Sequence, residues 1–248
     1  MNLKCAIVIP LYALNLSDTD KASIINTVNI LSKYDIFLMC PMSLVFNDRR
    51  FLHGTNAVVY RIDDKWMSSK QMYSRLCMSS WLYEHFIQYD YMLIVQPDAW
   101  IFSDQLEHWC SKGYDYIGAP WCENCNEHKN CKYIGNPIDK KPIIGNGGLS
   151  LRKVQKFIEV TKIIEDDVNA IPDEKTPNED VYLMSNSKVS WNVPSCAEAI
   201  HFSIETMAQF HVDKNIVPFG CHNLLKIHPQ AFYKLHFVDH VSKLVSVH

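Results

Sequence analysis

Short apolar runs alternate along this chain with longer stretches of helical period. Cys5 to Pro10, Ile36 to Cys40, Ala57 to Tyr60, Tyr91 to Val95 and Tyr114 to Ala119 are rich in β-branched and aromatic residues, which predicts strands. Between them, Asp18 to Ser32 carries Ala22, Ile25, Val28 and Ile30-Leu31 at helical spacing, and Ser69 to Phe86 does the same with Met72, Leu76 and Tyr83. Trp81, Tyr83 and Phe86 share that spacing and are expected in the core. The β-α-β alternation predicts an α/β protein whose mostly parallel sheet is covered by helices. Asn124 to Lys141 is polar and rich in Lys, Asn and Cys, so a loop is expected there.

Composition narrows this picture. A chain of 248 residues with 48% hydrophobic content can bury a substantial core, and one α/β domain is the simplest reading. A formal net charge of -3 supplies no basic field, so a nucleic-acid partner is not expected. The first apolar stretch is too short to span a membrane and ends in Pro10 rather than a small-residue cleavage site. With no longer apolar run elsewhere, a soluble cytoplasmic protein is expected. Nine cysteines, several of them inside apolar segments (Cys5, Cys40, Cys77), suit a reducing compartment better than a disulfide framework.

Candidate chemistry begins at Gln96-Pro97-Asp98-Ala99-Trp100, directly after the run Tyr91 to Val95. A buried strand ending in a carboxylate would deliver it to the carboxyl edge of the sheet, where open α/β folds place their ligands. Asp98 would equally serve as a cap for a helix starting near Ser103, or occupy a turn after Pro97. Three of the eight glycines fall in Gly145-Asn146-Gly147-Gly148, either a backbone that approaches a ligand or a tight hairpin. Glu179-Asp180 follows Pro177 at the start of a helix-like segment, which suits a general base or simply an acidic first turn. His222, in a glycine turn of Pro218-Phe219-Gly220-Cys221-His222, offers an imidazole to a divalent metal, or is an ordinary core or surface histidine.

Taken in order, Pro10-Leu11-Tyr12, Tyr73-Ser74-Arg75-Leu76, the run from Leu93 to Phe102, Gly113 to Trp121, Gly145 to Arg152, Glu179-Asp180 and Pro218 to His222 resemble a largely uncharacterised family of GT-A type glycosyltransferases of bacteria and viruses. The resemblance spans about residues 5 to 225. It implies a GT-A, Rossmann-like three-layer α/β/α sandwich, and a reaction that moves a sugar from a nucleotide-sugar donor to an acceptor hydroxyl. By the same resemblance Asp98, Ala99 and Trp100 stand for the Asp-x-Asp motif, Asn146, Gly147 and Gly148 for the glycine loop, and Asp180, with Glu179 behind it, for the base of an inverting displacement. Asp98 and His222 would hold Mn²⁺ or Mg²⁺ with the diphosphate; Pro10, Leu11 and Tyr12 would lie against base and ribose, and Arg75 near the phosphates. A glycan or lipid-linked glycan acceptor is implied, in surface glycan assembly, with at most peripheral contact at the inner membrane face. Trp100 replaces the usual second acid, so either Asp98 and His222 suffice for a metal, or Arg75 or Arg152 meets the diphosphate instead. The alternatives are a retaining transferase or nucleotidyltransferase on a similar sheet, and a sugar-nucleotide-binding module without catalysis.

Two further features stand apart. Cys122, Cys125, His128 and Cys131 form a Cys₃His set that a structural Zn²⁺ could use, although the spacing is tighter than in common zinc modules; free thiols in a variable loop are the other reading. Trp121 or Trp100 could stack on a sugar face, with Trp109 at least as suited to the core. The stretch from about 225 to 248 is expected as a helical tail, with Lys234, His236, His240 and Lys243 among its apolar residues.

Overall fold

A computed structural model of the chain describes residues 3–45, 54–123, 132–133, 145–206 and 208–245. Six strands form the main sheet: β1 (Cys5–Pro10), β2 (Asp35–Pro41), β3 (Val58–Ile62), β4 (Tyr91–Val95), β6 (Tyr116–Gly118) and β9 (Leu149–Lys153), in the order β3-β2-β1-β4-β9-β6. β1 pairs in parallel with β2 and β4, and β2 with β3, whereas β9 runs antiparallel to both β4 and β6. The chain winds one way from β1 to β3 and then restarts at β4 on the other side of β1. That reversal opens a crevice beyond the carboxyl ends of β1 and β4.

Every residue of β1 and β4 is buried, as a strand covered on both faces requires. Ile7, Ile9, Leu93 and Val95 face a core with Ile24 and Val28 of α1 (Asp18–Ile30), Trp109 of α4 (Leu106–Ser111) and Phe202 of α8 (Cys196–Phe202). The alternate residues Ala6, Val8, Met92 and Ile94 face a second core. It holds Leu76 of α2 (Lys70–Cys77), Leu82 and Tyr83 of α3 (Ser80–Glu84), Phe157 of α5 (Val154–Ile163), Val168 of α6 (Glu165–Asn169) and Leu183 of α7 (Glu179–Ser185). Helices therefore cover both faces of a mixed, mostly parallel sheet.

A smaller sheet joins β5 (Ala99–Ile101), β11 (Gly220–His222) and β10 (Ser203–Ile204), next to α9 (Ala208–Lys214), α10 (Leu224–Ile227) and α11 (Pro229–Val245). A two-stranded pair, β7 (Cys122–Glu123) and β8 (Lys132–Tyr133), completes the described strands.

The predicted helix from Ser69 to Phe86 is two helices. Ser79 has extended backbone and its hydroxyl accepts from the Trp81 N–H, so a side chain takes over the role of the helical ladder and starts a new helix. The strand predicted from Tyr114 to Ala119 is shorter at both ends. Tyr83 and Phe86 are core residues, whereas Trp81 is half-buried and stacked on Trp66. Cys125, His128 and Cys131 lie outside the described residues, as does most of the stretch from 124 to 141; Cys122 is placed by its strand alone. The expected closing helix is α11, and no helix among the described residues is long and apolar enough to cross a membrane.

Candidate active site

The antiparallel entry of β9 explains where the glycines go. Because Leu149 pairs with Val95, the loop before β9 lies over the end of β4, and the Gln96 N–H donates to the Gly148 carbonyl at 2.8 Å. β5 then pairs antiparallel with β11, setting His222 opposite Ala99 and beside Asp98. His222 is thus on a strand rather than in a glycine turn, because its backbone extends that ladder. Asp98 caps no helix; α4 begins at Leu106. Its Oδ1 lies 3.3 Å from Nε2 of His222, and its carbonyl accepts from Asn223 at 2.9 Å. α1 braces this turn: Ser23 donates to the Ala99 carbonyl and Asn26 to that of Ile101.

His222 is held from several sides. Its Nδ1 is 3.0 Å from Glu205 Oε1 and its Nε2 is 3.2 Å from Gln96 Oε1. Glu205 also accepts from Asn146 Nδ2 at 2.7 Å and from Trp121 Nε1 at 3.4 Å. Asn146 in turn accepts from the Gly148 N–H at 2.8 Å. Burial alone would depress the imidazole pKa, but Asp98 and Glu205 outweigh it and raise it to about 9. Burial works against ionisation of Asp98 as well, yet His222 and Lys226 hold its carboxyl down to about 2. Lys226 of α10 lies 3.3 Å from Asp98 Oδ2 and 3.1 Å from Asp20 Oδ1.

Glu179 and Asp180 sit at the first turn of α7, behind the glycine loop, and both are buried. Asp180 accepts from the Gly147 N–H at 2.9 Å and from its neighbour Val181 at 2.8 Å. Burial first, and the negative charge of Glu179 second, raise its pKa from 3.8 to about 6. Glu179 accepts from Arg152 Nη2 and Ser74 Oγ, each at 3.2 Å. Arg152 is fully buried on β9, also donating to Tyr83 Oη at 2.9 Å and Ser150 Oγ at 3.0 Å. It is therefore committed within the core and not available to a ligand in the cavity.

A cavity of about 470 Å³ opens beside Gln96, Asp98 and Lys226, within the about 300–1,000 Å³ range of small-molecule sites; His222, Asn146, Gly147, Gly148, Glu179 and Asp180 are not among its lining residues. Its wall includes Pro10 at the end of β1 and Tyr12 just beyond it, Pro97 and Asp98 beyond β4, Ser69, Lys70 and Tyr73 at the start of α2, and Lys226. The structure does not bring every expected donor residue to that wall. Leu11 is wholly buried, its N–H bonded to the Met39 carbonyl. Ala99 is buried, and Trp100 turns to Phe232 and His236 of α11. Arg75 points the other way, donating to the carbonyls of Val168 and Ile171 and pairing with Asp173 at 3.0 Å. Trp109 is a core residue.

Glu205, Lys226 and Asp20 are the participants that no sequence pattern singled out, and Gln96 appeared only as the first residue of the string that carries Asp98. Glu205 follows a two-residue strand and Asp20 looks like an ordinary acid in a first helical turn. Lys226 lies four positions after His222, and that proximity is the one signal that could have found it.

Asp98 Oδ1 and His222 Nε2 are separated by nearly the about 3 Å between adjacent ligands of a Mg²⁺- or Mn²⁺-sized ion, and Gln96 adds a neutral oxygen. Nε2 of His222 is engaged with Asp98 and Gln96 in a protonated imidazole, so these residues fit such an ion as a partial set only when it displaces that proton. No cluster of three or more His, Cys, Asp or Glu positioned for a metal occurs among the described residues. The remaining ligands would come from substrate oxygens and water, as is usual for Mg²⁺.

A family profile described as "Protein of unknown function (DUF5672)" matches residues 56–222, from the strand at the sheet edge to the histidine of this site, and the chain belongs to that family. A comparison with curated proteins finds no match.

Proposed function

We propose that this member of the DUF5672 family is a GT-A type glycosyltransferase that moves a sugar from a nucleotide donor to an acceptor hydroxyl by inverting displacement. The observation that carries the reading is the meeting of Asp98 and His222 at 3.3 Å beside a cavity at the β1/β4 reversal. The sheet order, with one antiparallel strand delivering a glycine loop to that point, supports it.

In this mechanism Pro10 and Tyr12 receive the nucleoside, and the diphosphate lies toward Asp98. Asp98 and His222 would hold Mn²⁺ or Mg²⁺, which supplies positive charge to the departing diphosphate. Asp180, with a pKa near 6, is ionised at neutral pH and takes the proton of the attacking hydroxyl. The new bond forms from that oxygen to the anomeric carbon as the bond to the diphosphate oxygen breaks on the opposite face. Glu179 and Arg152 hold Asp180 and the glycine loop in register beneath this chemistry. The acceptor in this reading is a glycan or lipid-linked glycan.

The test is a thermal-shift screen of UDP-, GDP-, CMP- and dTDP-sugars with Mn²⁺, Mg²⁺ or chelator, followed by turnover of the best donor. A shift with one nucleotide that needs metal and is lost in Asp98→Asn is expected. Binding without transfer or hydrolysis would instead favour a non-catalytic module, and retention of anomeric configuration by NMR would remove Asp180 as the base.

A further inference from the structure

The packing of Trp100 and the position of Lys226 belong together. Trp100 packs its ring edge-to-face on Phe232 of α11, with His236 alongside. That contact anchors the segment that begins at α10, immediately before α11, and α10 carries Lys226. The reverse of the turn is fixed too: Asn223 adopts left-handed backbone at φ 56° and donates its N–H to the Asp98 carbonyl. The chain thus holds a lysine beside Asp98 at the cavity wall.

We propose that Lys226 binds the diphosphate of the donor, resting on Asp98 and Asp20 until the ligand arrives. This inference rests on the nucleotide-sugar reading and adds a ligand group to it, a nucleoside diphosphate in preference to a monophosphate. Lys226 lines the cavity, with its side chain 45% exposed, and its Nζ has hydrogen-bonding reach to both carboxylates. A four-carbon stem lets the ammonium leave one oxygen for another without moving the backbone. Arg75 and Arg152, the other cations considered for this role, have their guanidinium groups committed elsewhere. When Lys226 turns to the phosphates, Asp98 Oδ2 is released while Oδ1 stays beside His222. An ammonium supplied in this way offsets the negative charge of the diphosphate.

The experiment is calorimetric titration of the full chain with inorganic pyrophosphate, UDP, GDP, uridine and guanosine, in Mg²⁺ and at two salt concentrations. Variants are Lys226→Met, which keeps the stem, and Lys226→Arg, which keeps the charge. Lys226→Met is expected to weaken pyrophosphate and the preferred nucleoside diphosphate about tenfold, with a shallower salt dependence, and Lys226→Arg to restore most of it. Affinity for the matching nucleoside should not change, which a loss of folding would not spare. Equal diphosphate affinity in Lys226→Met and the parent overturns the role of Lys226 alone. Absence of binding of every phosphate ligand to the parent overturns the donor reading and this inference with it.

Discussion

Gly148 and His222 are matched by shape: a Cβ on residue 148 would overlap the imidazole at Nε2, Cδ2 and Cε1. Gly148 has no left-handed backbone to accommodate, so the requirement is purely for space. Gly148→Ala should therefore displace the imidazole, lowering metal-assisted nucleotide affinity about tenfold or more and costing about 1–3 kcal/mol of stability. Adding His222→Ala should recover the melting temperature but not the affinity. Calorimetry and thermal melts of the two variants check this, and full nucleotide affinity in Gly148→Ala would refute it.

Arg152 and Glu179 form a buried ion pair with both partners otherwise hydrogen-bonded. Removing one partner strands the other charge in the core, so Arg152→Met should cost about 3–5 kcal/mol. The double variant Arg152→Met/Glu179→Gln should be less destabilised than Arg152→Met alone. Urea unfolding measures both, and simple additivity would show that the pair is not coupled.

Asp180 links function to stability through pH. Its native pKa is about 6 against an ordinary 3.8, so the folded protein binds this proton more tightly than the unfolded chain. The group's stabilising contribution is complete below about pH 3.8 and is lost as pH rises through about 6. At pH 7.5 its ionised form is a net cost. Asp180→Asn should abolish transfer while leaving the melting temperature at pH 7.5 equal or higher, and kcat/KM of the parent should rise through about pH 6 and level off. A marked drop in melting temperature for Asp180→Asn would indicate that its carboxylate is primarily structural.

Trp100 and Arg75 should separate packing from binding. Trp100→Ala removes contacts with α11 and is expected to cost about 2 kcal/mol. Arg75→Gln loosens the segment around Val168, Ile171 and Asp173. Neither side chain lines the 470 Å³ cavity, so nucleotide affinity measured below the melting transition should stay within about threefold for Arg75→Gln. A tenfold loss there would place the guanidinium on the ligand.

The elements that were legible in the chain are those whose signal is local. β1 and β4 appear at their predicted residues because continuous apolar runs can be satisfied only in a sheet covered on both faces. α1 starts at Asp18, where the helical period of its apolar residues predicts it, and the Ser17 hydroxyl caps it by accepting from the Asp20 N–H. The break at Ser79 was less legible, since the helical period runs through it and only the hydroxyl bond to Trp81 ends the ladder. Asp98, the glycine loop, Glu179-Asp180 and His222 stood out as residue types in suggestive settings, each with an ordinary structural alternative.

What the sequence by itself determined was the α/β class, the central strands and a short roster of chemical groups, because periodicity and side-chain type are properties of neighbouring residues. What only the tertiary structure decided was which of those groups meet. The antiparallel entry of β9 set Gly148 over β4, and the pairing of β5 with β11 set His222 beside Asp98. Other long-range contacts brought in Glu205 and Lys226, turned Trp100 toward Phe232, and bound Arg75 to Val168, Ile171 and Asp173. Hydrogen bonds and charges act over a few ångströms in space with no regard for separation along the chain, so a site assembled from many separate segments has no local pattern to reveal it.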